Sequence, residues 1–143
     1  MTGVAFEKRP ATLDVRLLCD WFAIQVTPHA PAQLYTTASD DCRKFHVDNH
    51  RVRLVCTYAG PGTEVVPSAF VNREHLCATD GGPDRVNALI VPDPQRVVRC
   101  QAGDAIVMKG QRYHGGRREG AVHRSPPVSG TGLTRLVLVI TAP

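Results

Sequence analysis

The sequence predicts a mostly β fold, a small β-sandwich or barrel of jelly-roll type with a single helix packed on its outside. The chain has 143 residues, the length of one ordinary domain, and no repeat or low-complexity linker divides it. One segment near the start has helical periodicity, and glycine and proline separate the short apolar runs that follow. We therefore expect one domain over residues 1–143, with the helix at about 12–26 and the β structure at about 33–141.

The predicted helix is the segment TLDVRLLCDWFAIQV, which begins at Thr12. Thr12 is a suitable N-cap residue, and Pro28 lies just beyond the expected end. The apolar side chains that helical spacing places on one side are Leu13, Leu17, Trp21 and Ile24, with Leu18 and Phe22 beside them. This amphipathic pattern is typical of a helix that packs against a core.

The predicted strands are short runs rich in β-branched residues and bounded by turn residues. They lie at 33–37, 51–59, 64–71, 86–91, 96–100, 104–109, 120–124 and 134–141. Pro67 lacks a backbone donor, so we expect the run at 64–71 to be an edge strand or an irregular one. The exposed sheet edges of such a fold favour association, and a homodimer is one expected assembly.

Composition excludes several classes of protein. Hydrophobic residues make up 43% of the chain and charged residues 21%, a globular balance. No apolar run approaches the roughly 20 residues that cross a bilayer, and the first residues lack the apolar stretch of a secretory signal. The five cysteines are widely spaced without a C-x-x-C pair, which fits neither a disulfide framework nor a zinc finger. We expect a cytoplasmic protein with reduced thiols and no membrane partner.

The formal charge of +4 favours anionic partners. Aromatic residues make up only 6% of the chain, and no nucleic-acid-binding motif is present. We therefore expect a small, anionic molecule as the partner and no nucleic acid. The basic, glycine-rich stretch GQRYHGGRREG, residues 110–120, is predicted to be a flexible loop that serves as a lid.

The strongest functional pattern combines FHVD, residues 45–48, with a late histidine in AVHRSPP. His46 and Asp48 are two positions apart, so their side chains share one face of an extended chain. An H-x-D pair with a distant histidine is the ligand set of the 2-His-1-carboxylate facial triad, which holds Fe(II) and leaves positions open. The strands of a small barrel bring inward side chains together at its mouth. We predict that His46, Asp48 and His123 bind one metal ion.

Two further predicted strands carry residues for the same site. Arg135 begins the last strand and shares a face with Val137 and Val139. If that face is interior, Arg135 is a buried cation that requires an anion, and the carboxylate of an organic acid would satisfy it. The strand at 51–59 has Val52, Leu54, Cys56 and Tyr58 on one face and Arg51, Arg53, Val55 and Thr57 on the other.

The order H-x-D, C-T-Y, G-D, and H followed by a later arginine resembles iron/2-oxoglutarate oxygenases of the prolyl-4-hydroxylase-like type. The resemblance implies a double-stranded β-helix (cupin-like) fold, iron bound by His46, Asp48 and His123, and a 2-oxoglutarate carboxylate bound by Arg135. Tyr58 matches a tyrosine that lines the cosubstrate pocket in that superfamily. The strings FHVD, CTYAGPGTE, GDAIVMKG and AVHRSPP also resemble a family of short bacterial proteins described only as a domain of unknown function.

These patterns predict a non-haem Fe(II) oxygenase that acts on a small molecule with O2 and 2-oxoglutarate. One alternative is a cupin-like metalloenzyme, with Fe or Zn, that coordinates its substrate directly and uses no 2-oxoglutarate. Another is a metal-binding or ligand-binding module without catalysis. Mn and Ni also fit the ligand types. The candidate substrate contacts are Lys109, His114, Arg51 and Arg124.

Overall fold

The computed structural model describes residues 11–114 and 116–143, with side chains described for 14–114 and 118–143. Three helices are present in these residues: α1 (Ala11–Gln25), α2 (Gly82–Ile90) and the short α3 (Gly116–Glu119). The strands are β1 (Ala32–Thr37), β2 (Val52–Ala59), β3 (Glu64–Val66), β4 (Val98–Arg99), β5 (Ala105–Lys109), β6 (Val122–Arg124) and β7 (Arg135–Ala142). The prediction of a mostly β fold is confirmed.

The described strands form two antiparallel sheets. The four-stranded sheet has the order β1-β7-β2-β5, and the three-stranded sheet has the order β4-β3-β6. The predicted barrel is not seen, because no described strand belongs to both sheets and the sheets do not close on each other. The arrangement is two facing sheets, and the double-stranded β-helix remains a prediction.

Helix α1 packs on the outer face of the four-stranded sheet, as the sequence predicts. Phe22 is completely buried there against Leu54 and Cys56 of β2 and Leu138 of β7. Burying a phenylalanine side chain contributes roughly 2–3 kcal/mol to folding. The side of the helix that carries most of the predicted apolar group is not the buried one. The side chains of Leu17, Trp21 and Ile24 on that side are exposed. The helix instead turns its Phe22 and Leu18 face toward the sheet.

The prediction of a strand at 86–91 is wrong, because this run belongs to α2. A short apolar run fits a buried helix as well as a buried strand. Gly81 adopts a left-handed φ of 91° before the helix, and a proline occupies its first turn. The buried Asn87 side chain accepts a hydrogen bond from Phe45 N at 2.8 Å and donates one to Arg43 O at 3.0 Å. Helix α2 is therefore fastened to the segment that leads into FHVD.

Strand β3 is shorter than predicted and is not an edge strand. It ends at Val66, directly before Pro67, and lies between β4 and β6. Pro67 stands outside the paired segment, so its missing donor removes no hydrogen bond from the sheet. A 3₁₀ turn at Ser68–Phe70 follows.

The space between the two sheets holds an apolar cluster at one end. Val55, Met108 and Val137 from the four-stranded sheet are buried there with Val65 of β3 packed against them. The outer face of the three-stranded sheet is covered by α2. No helix of the described residues is long and apolar enough to cross a membrane. All five cysteines are free thiols, and Cys56 is buried in the core under α1.

Candidate metal centre

The FHVD segment alternates between two faces, as an extended chain should. Phe45 and Val47 are buried in the cluster beneath α2, while His46 and Asp48 point the other way. The segment is joined to β6 by an isolated antiparallel bridge between His46 and His123. Two backbone hydrogen bonds of 3.0 Å form this bridge, one in each direction. The bridge sets the two histidines side by side.

The three predicted ligands converge. Nε2 of His46 lies 3.5 Å from Oδ1 of Asp48, and Nε2 of His123 lies 3.5 Å from Oδ2 of the same carboxylate. The two imidazole rings have their centroids 4.5 Å apart. The three ligand atoms all lie within 4.8 Å of one another, close enough to surround a single ion.

Both histidines present the nitrogen that a metal needs. Nδ1 of His46 lies 2.8 Å from Lys44 O, and Nδ1 of His123 lies 3.0 Å from Ala121 O. A carbonyl oxygen only accepts hydrogen bonds, so the proton of each neutral ring is assigned to Nδ1. Each Nε2 then carries the free lone pair and faces Asp48. Backbone bonds of this kind hold metal-binding imidazoles in orientation.

Charge and burial also suit a cation at this point. Burial lowers the pKa of His123, and the neighbouring His46 lowers it further, which keeps the imidazole neutral and able to bind metal. For Asp48, burial acts to raise the pKa, but the neighbouring His46, His123 and Arg53 together outweigh it. The pKa of Asp48 is therefore lowered, and the carboxylate is ionised at neutral pH.

One oxygen of Asp48 lacks a complete set of partners. Nη1 of Arg53 lies 2.8 Å from Asp48 Oδ2, an ion-pair distance. The angle is not that of a hydrogen bond, and Oδ2 is buried without a hydrogen-bond donor among the described residues. We regard the contact as a real electrostatic pairing with poor hydrogen-bond geometry. A buried carboxylate that faces two imidazole nitrogens and is short of one hydrogen-bond donor fits a bound cation.

His46 and His123 line a cavity of about 160 Å³ between the sheets. Its apolar side is formed by Val55 of β2 and by Val137 and Val139 of β7. A larger cavity of about 380 Å³ lies elsewhere, beside Glu64. The described lining of that larger cavity holds one carboxylate, which is already paired with arginine, so the smaller cavity is the better candidate for chemistry.

Arg135 lies in the same cavity as the two histidines and is only 3% exposed. The face of β7 that carries Arg135 is therefore the interior one. Its Nε donates to Pro61 O at 2.8 Å, and its Nη2 donates to Thr57 Oγ1 at 3.3 Å. Burial lowers the pKa of Arg135, although arginine stays protonated in proteins. No carboxylate of the described residues forms a salt bridge with Arg135, although Asp41 lines the same cavity and its charge acts to raise the pKa of Arg135. The guanidinium can therefore still contact a bound anion directly.

A family model described as a protein of unknown function, DUF1826, matches residues 5–140. The chain belongs to the DUF1826 family. No curated protein and no solved structure matches it. The family description names no activity, so what this DUF1826 chain does must be argued from the site.

Two residues predicted to serve the site are placed elsewhere by the structure. Tyr58 does not line the cavity: its hydroxyl donates to Asp14 Oδ2 at 2.8 Å under α1, and burial together with this bond raises its pKa. Its two-residue spacing from Cys56 puts it on the helix side of β2, away from the cavity, so its position lends no support to the cosubstrate role implied by the resemblance. Arg124 points to the outer side of its sheet, where its Nε donates to Glu64 Oε2 at 2.6 Å.

The remaining substrate candidates also lie outside the cavity lining. Arg51 is exposed and donates to Val26 O. Lys109 is exposed and rests over the ring of Tyr113, and His114 is exposed. None of the three reaches the cavity in this structure.

The predicted lid at 110–120 is anchored at its beginning to residues 48–51 by backbone hydrogen bonds. Gly110 N donates to Arg51 O, Gln111 N donates to Asp48 O at 2.8 Å, and Arg112 N donates to His50 O. The later part contains α3. At its start, this stretch is hydrogen-bonded to the Asp48 segment. Residue 115 lies outside the described residues, and the role of a flexible lid stays a prediction.

Sequence reasoning missed Arg53 as a site residue. It lies on the same face of β2 as Val55, and both line the cavity. The alternation along β2 already separated this face from the one with Tyr58. The signal that could have found it was an arginine directed inward on the strand after H-x-D, since an inward charge requires a partner.

Proposed function

We propose that this DUF1826 protein is a non-haem Fe(II)-dependent oxygenase that acts on a small organic acid or uses one as cosubstrate. The observation that supports it most is the convergence of two Nε2 atoms and one carboxylate within 4.8 Å, with both Nδ1 atoms bonded to backbone carbonyls. Two imidazoles and a carboxylate are the donor set of the facial triad. The cytoplasm, where free thiols persist, is the compartment we propose for it.

His46, Asp48 and His123 would hold the metal, and bound Fe(II) would supply the oxygen chemistry that no side chain offers. Three protein ligands leave positions free for exchange, which distinguishes a catalytic site from a closed structural one. The backbone bonds at Lys44 O and Ala121 O would keep the imidazoles oriented while ligands exchange.

Arg135 would bind the carboxylate of the organic acid. Its guanidinium is buried, is fixed by Pro61 O and Thr57 Oγ1, and lines the cavity with the two histidines. A carboxylate supplied by the ligand would compensate a charge that is otherwise costly to bury. Val137 and Val139, on the same face of β7, would contact the hydrocarbon part and exclude water.

The size of the cavity favours a second version of the same function. About 160 Å³ is smaller than the roughly 300 Å³ at which ordinary ligand pockets begin. A site of this size holds one small acid more readily than a cosubstrate and a substrate together. The second candidate is therefore an Fe-dependent enzyme whose substrate acid binds directly between the metal and Arg135, without 2-oxoglutarate.

The test is anaerobic reconstitution with Fe(II), followed by titration of 2-oxoglutarate. A weak visible charge-transfer band that is lost in Arg135→Met, but kept in Arg96→Met, is the expected result for the 2-oxoglutarate version. Arg96 is a matched control because it is exposed and paired with Asp93 outside the cavity. Circular dichroism of both variants checks that they are folded.

The 2-oxoglutarate version and the direct-binding version predict different results in this experiment. Without the band, Arg135-dependent binding of other small 2-oxo or 2-hydroxy acids, with oxygen uptake under air, supports the direct version. If Fe(II) does not bind, or if binding survives His123→Ala, the proposed metal centre is wrong. If metal and acid bind with no oxygen uptake for any acid, the protein is a binding module and the oxygenase proposal fails.

A further inference from the structure

We propose that Arg53 is a positioning residue that makes Asp48 bind the metal through one oxygen only. The inference rests on the metal centre proposed above. It concerns how many positions around the ion stay open, which decides what the site can accept.

The geometry divides the two oxygens of Asp48 between different neighbours. Oδ1 faces Nε2 of His46 at 3.5 Å, and Oδ2 faces Nε2 of His123 at the same distance. Both oxygens therefore border the space between the imidazoles, where a carboxylate can bind an ion with one oxygen or with two. The closest approach of Arg53 is to Oδ2, which lies 2.8 Å from Nη1.

Arg53 is held where it can keep this contact. It lies near the start of β2, paired with Thr141 of β7 on one side and Met108 of β5 on the other. Its Nε donates to Thr141 Oγ1 at 3.3 Å, and its side chain is only 24% exposed. A guanidinium fixed in this way is pre-organised, so little conformational entropy is lost in holding the carboxylate.

The charge of Arg53 competes with the metal for Oδ2. Oδ2 is the oxygen closest to the guanidinium, at 2.8 Å from Nη1, so more of its charge is neutralised than that of Oδ1. The metal would therefore take Oδ1. The off-angle approach of Arg53 leaves Oδ2 without an ideal hydrogen bond, and rotation of the carboxylate toward the metal on Oδ1 would allow this contact to improve.

The number of open positions follows from this division. A six-coordinate ion with two imidazoles and a one-oxygen carboxylate keeps about three positions for other ligands, the arrangement of the facial triad. A two-oxygen carboxylate would leave about two. Three positions accept a chelating acid and one further molecule, whereas two accept the acid alone. Arg53 would thus preserve the position that a second reactant needs.

The experiment counts rapidly exchanging water molecules on bound Mn(II) by the frequency dependence of water-proton relaxation. Wild type, Arg53→Met, Arg53→Ala and the control Arg96→Met are compared at saturating protein, with free Mn(II) checked by electron paramagnetic resonance. Methionine keeps the length of the side chain but removes its charge and donors. Thermal unfolding identifies the variants that are folded, and alanine provides a second variant if methionine does not fold.

The expected result is about three exchanging waters in wild type and Arg96→Met, and about two in the folded Arg53 variants. An unchanged water number in a folded Arg53 variant would overturn the inference while leaving the proposed metal centre intact. Failure of wild type to bind Mn(II), Fe(II) or Zn(II) would instead remove the proposed function. A role of Arg53 in stability alone would lower the unfolding temperature without changing the water number.

Discussion

Glu64 and Asp48 are two buried carboxylates with very different surroundings. Glu64 is 2% exposed, and its two oxygens accept hydrogen bonds from Nε of Arg99 at 2.9 Å and Nε of Arg124 at 2.6 Å. Asp48 is 9% exposed, has one off-angle arginine, and otherwise faces two imidazole nitrogens. The first group has the partners that a buried charge requires, and the second lacks some of them. We infer that Glu64 stabilises the fold, whereas Asp48 is kept for a ligand.

The largest expected loss of stability comes from replacing Glu64, whose two oxygens both have arginine partners. Glu64→Gln removes the anion between two arginines, and Arg124 is only 18% exposed on its side chain. Breaking a buried ion pair costs about 3 kcal/mol or more, because the remaining charge is left buried without a partner. Urea unfolding measures the loss. Asp93→Asn, in an exposed pair with Arg96, should cost only about 0.5 kcal/mol. Equal losses in the two variants would contradict the comparison.

A bound metal ion should supply a partner for the Asp48 carboxylate and so stabilise the folded protein. A divalent ion at 100 times its Kd would stabilise the folded protein by about 2.7 kcal/mol through mass action. The shift in unfolding midpoint on adding Zn(II) or Mn(II) measures this stabilisation. It should vanish in His123→Ala and persist in His75→Ala, since His75 lies in a turn outside the cavity. An equal shift in both variants would show that the metal binds elsewhere.

The backbone of the Asp48 segment can be disturbed without touching a ligand. A Cβ at Gly110 would collide with the carbonyl oxygen of His50 and lie 2.8 Å from Asp48 O. Gly110→Ala should therefore cost about 2 kcal/mol and also weaken metal binding. Gly62→Ala is the matched control, because its Cβ would collide with Cys100 O away from the ligands. It should destabilise the protein with metal affinity unchanged, measured by competition with a chromogenic chelator.

Arg135 offers the smallest expected change in stability. Arg135→Met removes a buried charge that has no described carboxylate partner, so the free energy of unfolding should change by no more than about 1 kcal/mol in either direction. Binding of organic acids should nevertheless be lost. Arg124→Met, which removes the arginine partner of Glu64 Oε2, should be clearly more destabilising. A large loss in Arg135→Met would mean that the residue serves the fold.

The parts that the sequence predicted are those that local periodicity controls. Two-residue alternation placed Arg135 with Val137 and separated the face of Val55 from that of Tyr58, and the structure agrees. The spacing in His46-x-Asp48 fixed a common face in the same way. Their meeting with His123 followed from recognising a ligand set, because no local pattern links such distant positions.

The errors arose where tertiary contacts decide. The run at 86–91 became a helix whose Asn87 bonds to Phe45 N and Arg43 O, partners that lie far away in sequence. Arg124 and Tyr58, both expected near the site, each have an acidic partner on the opposite side of the strand. Pairings of this kind depend on how the layers stack, which single-strand patterns do not encode.

The His46–His123 bridge has a consequence for the protein during its synthesis. One ligand pair lies in the first part of the chain, and the third ligand follows much later, so the ribosome must release residue 123 before the site exists. An unfinished or truncated chain carries no pocket that combines all three donors. A metal ion could thus bind all three donors only after the FHVD segment has paired with β6.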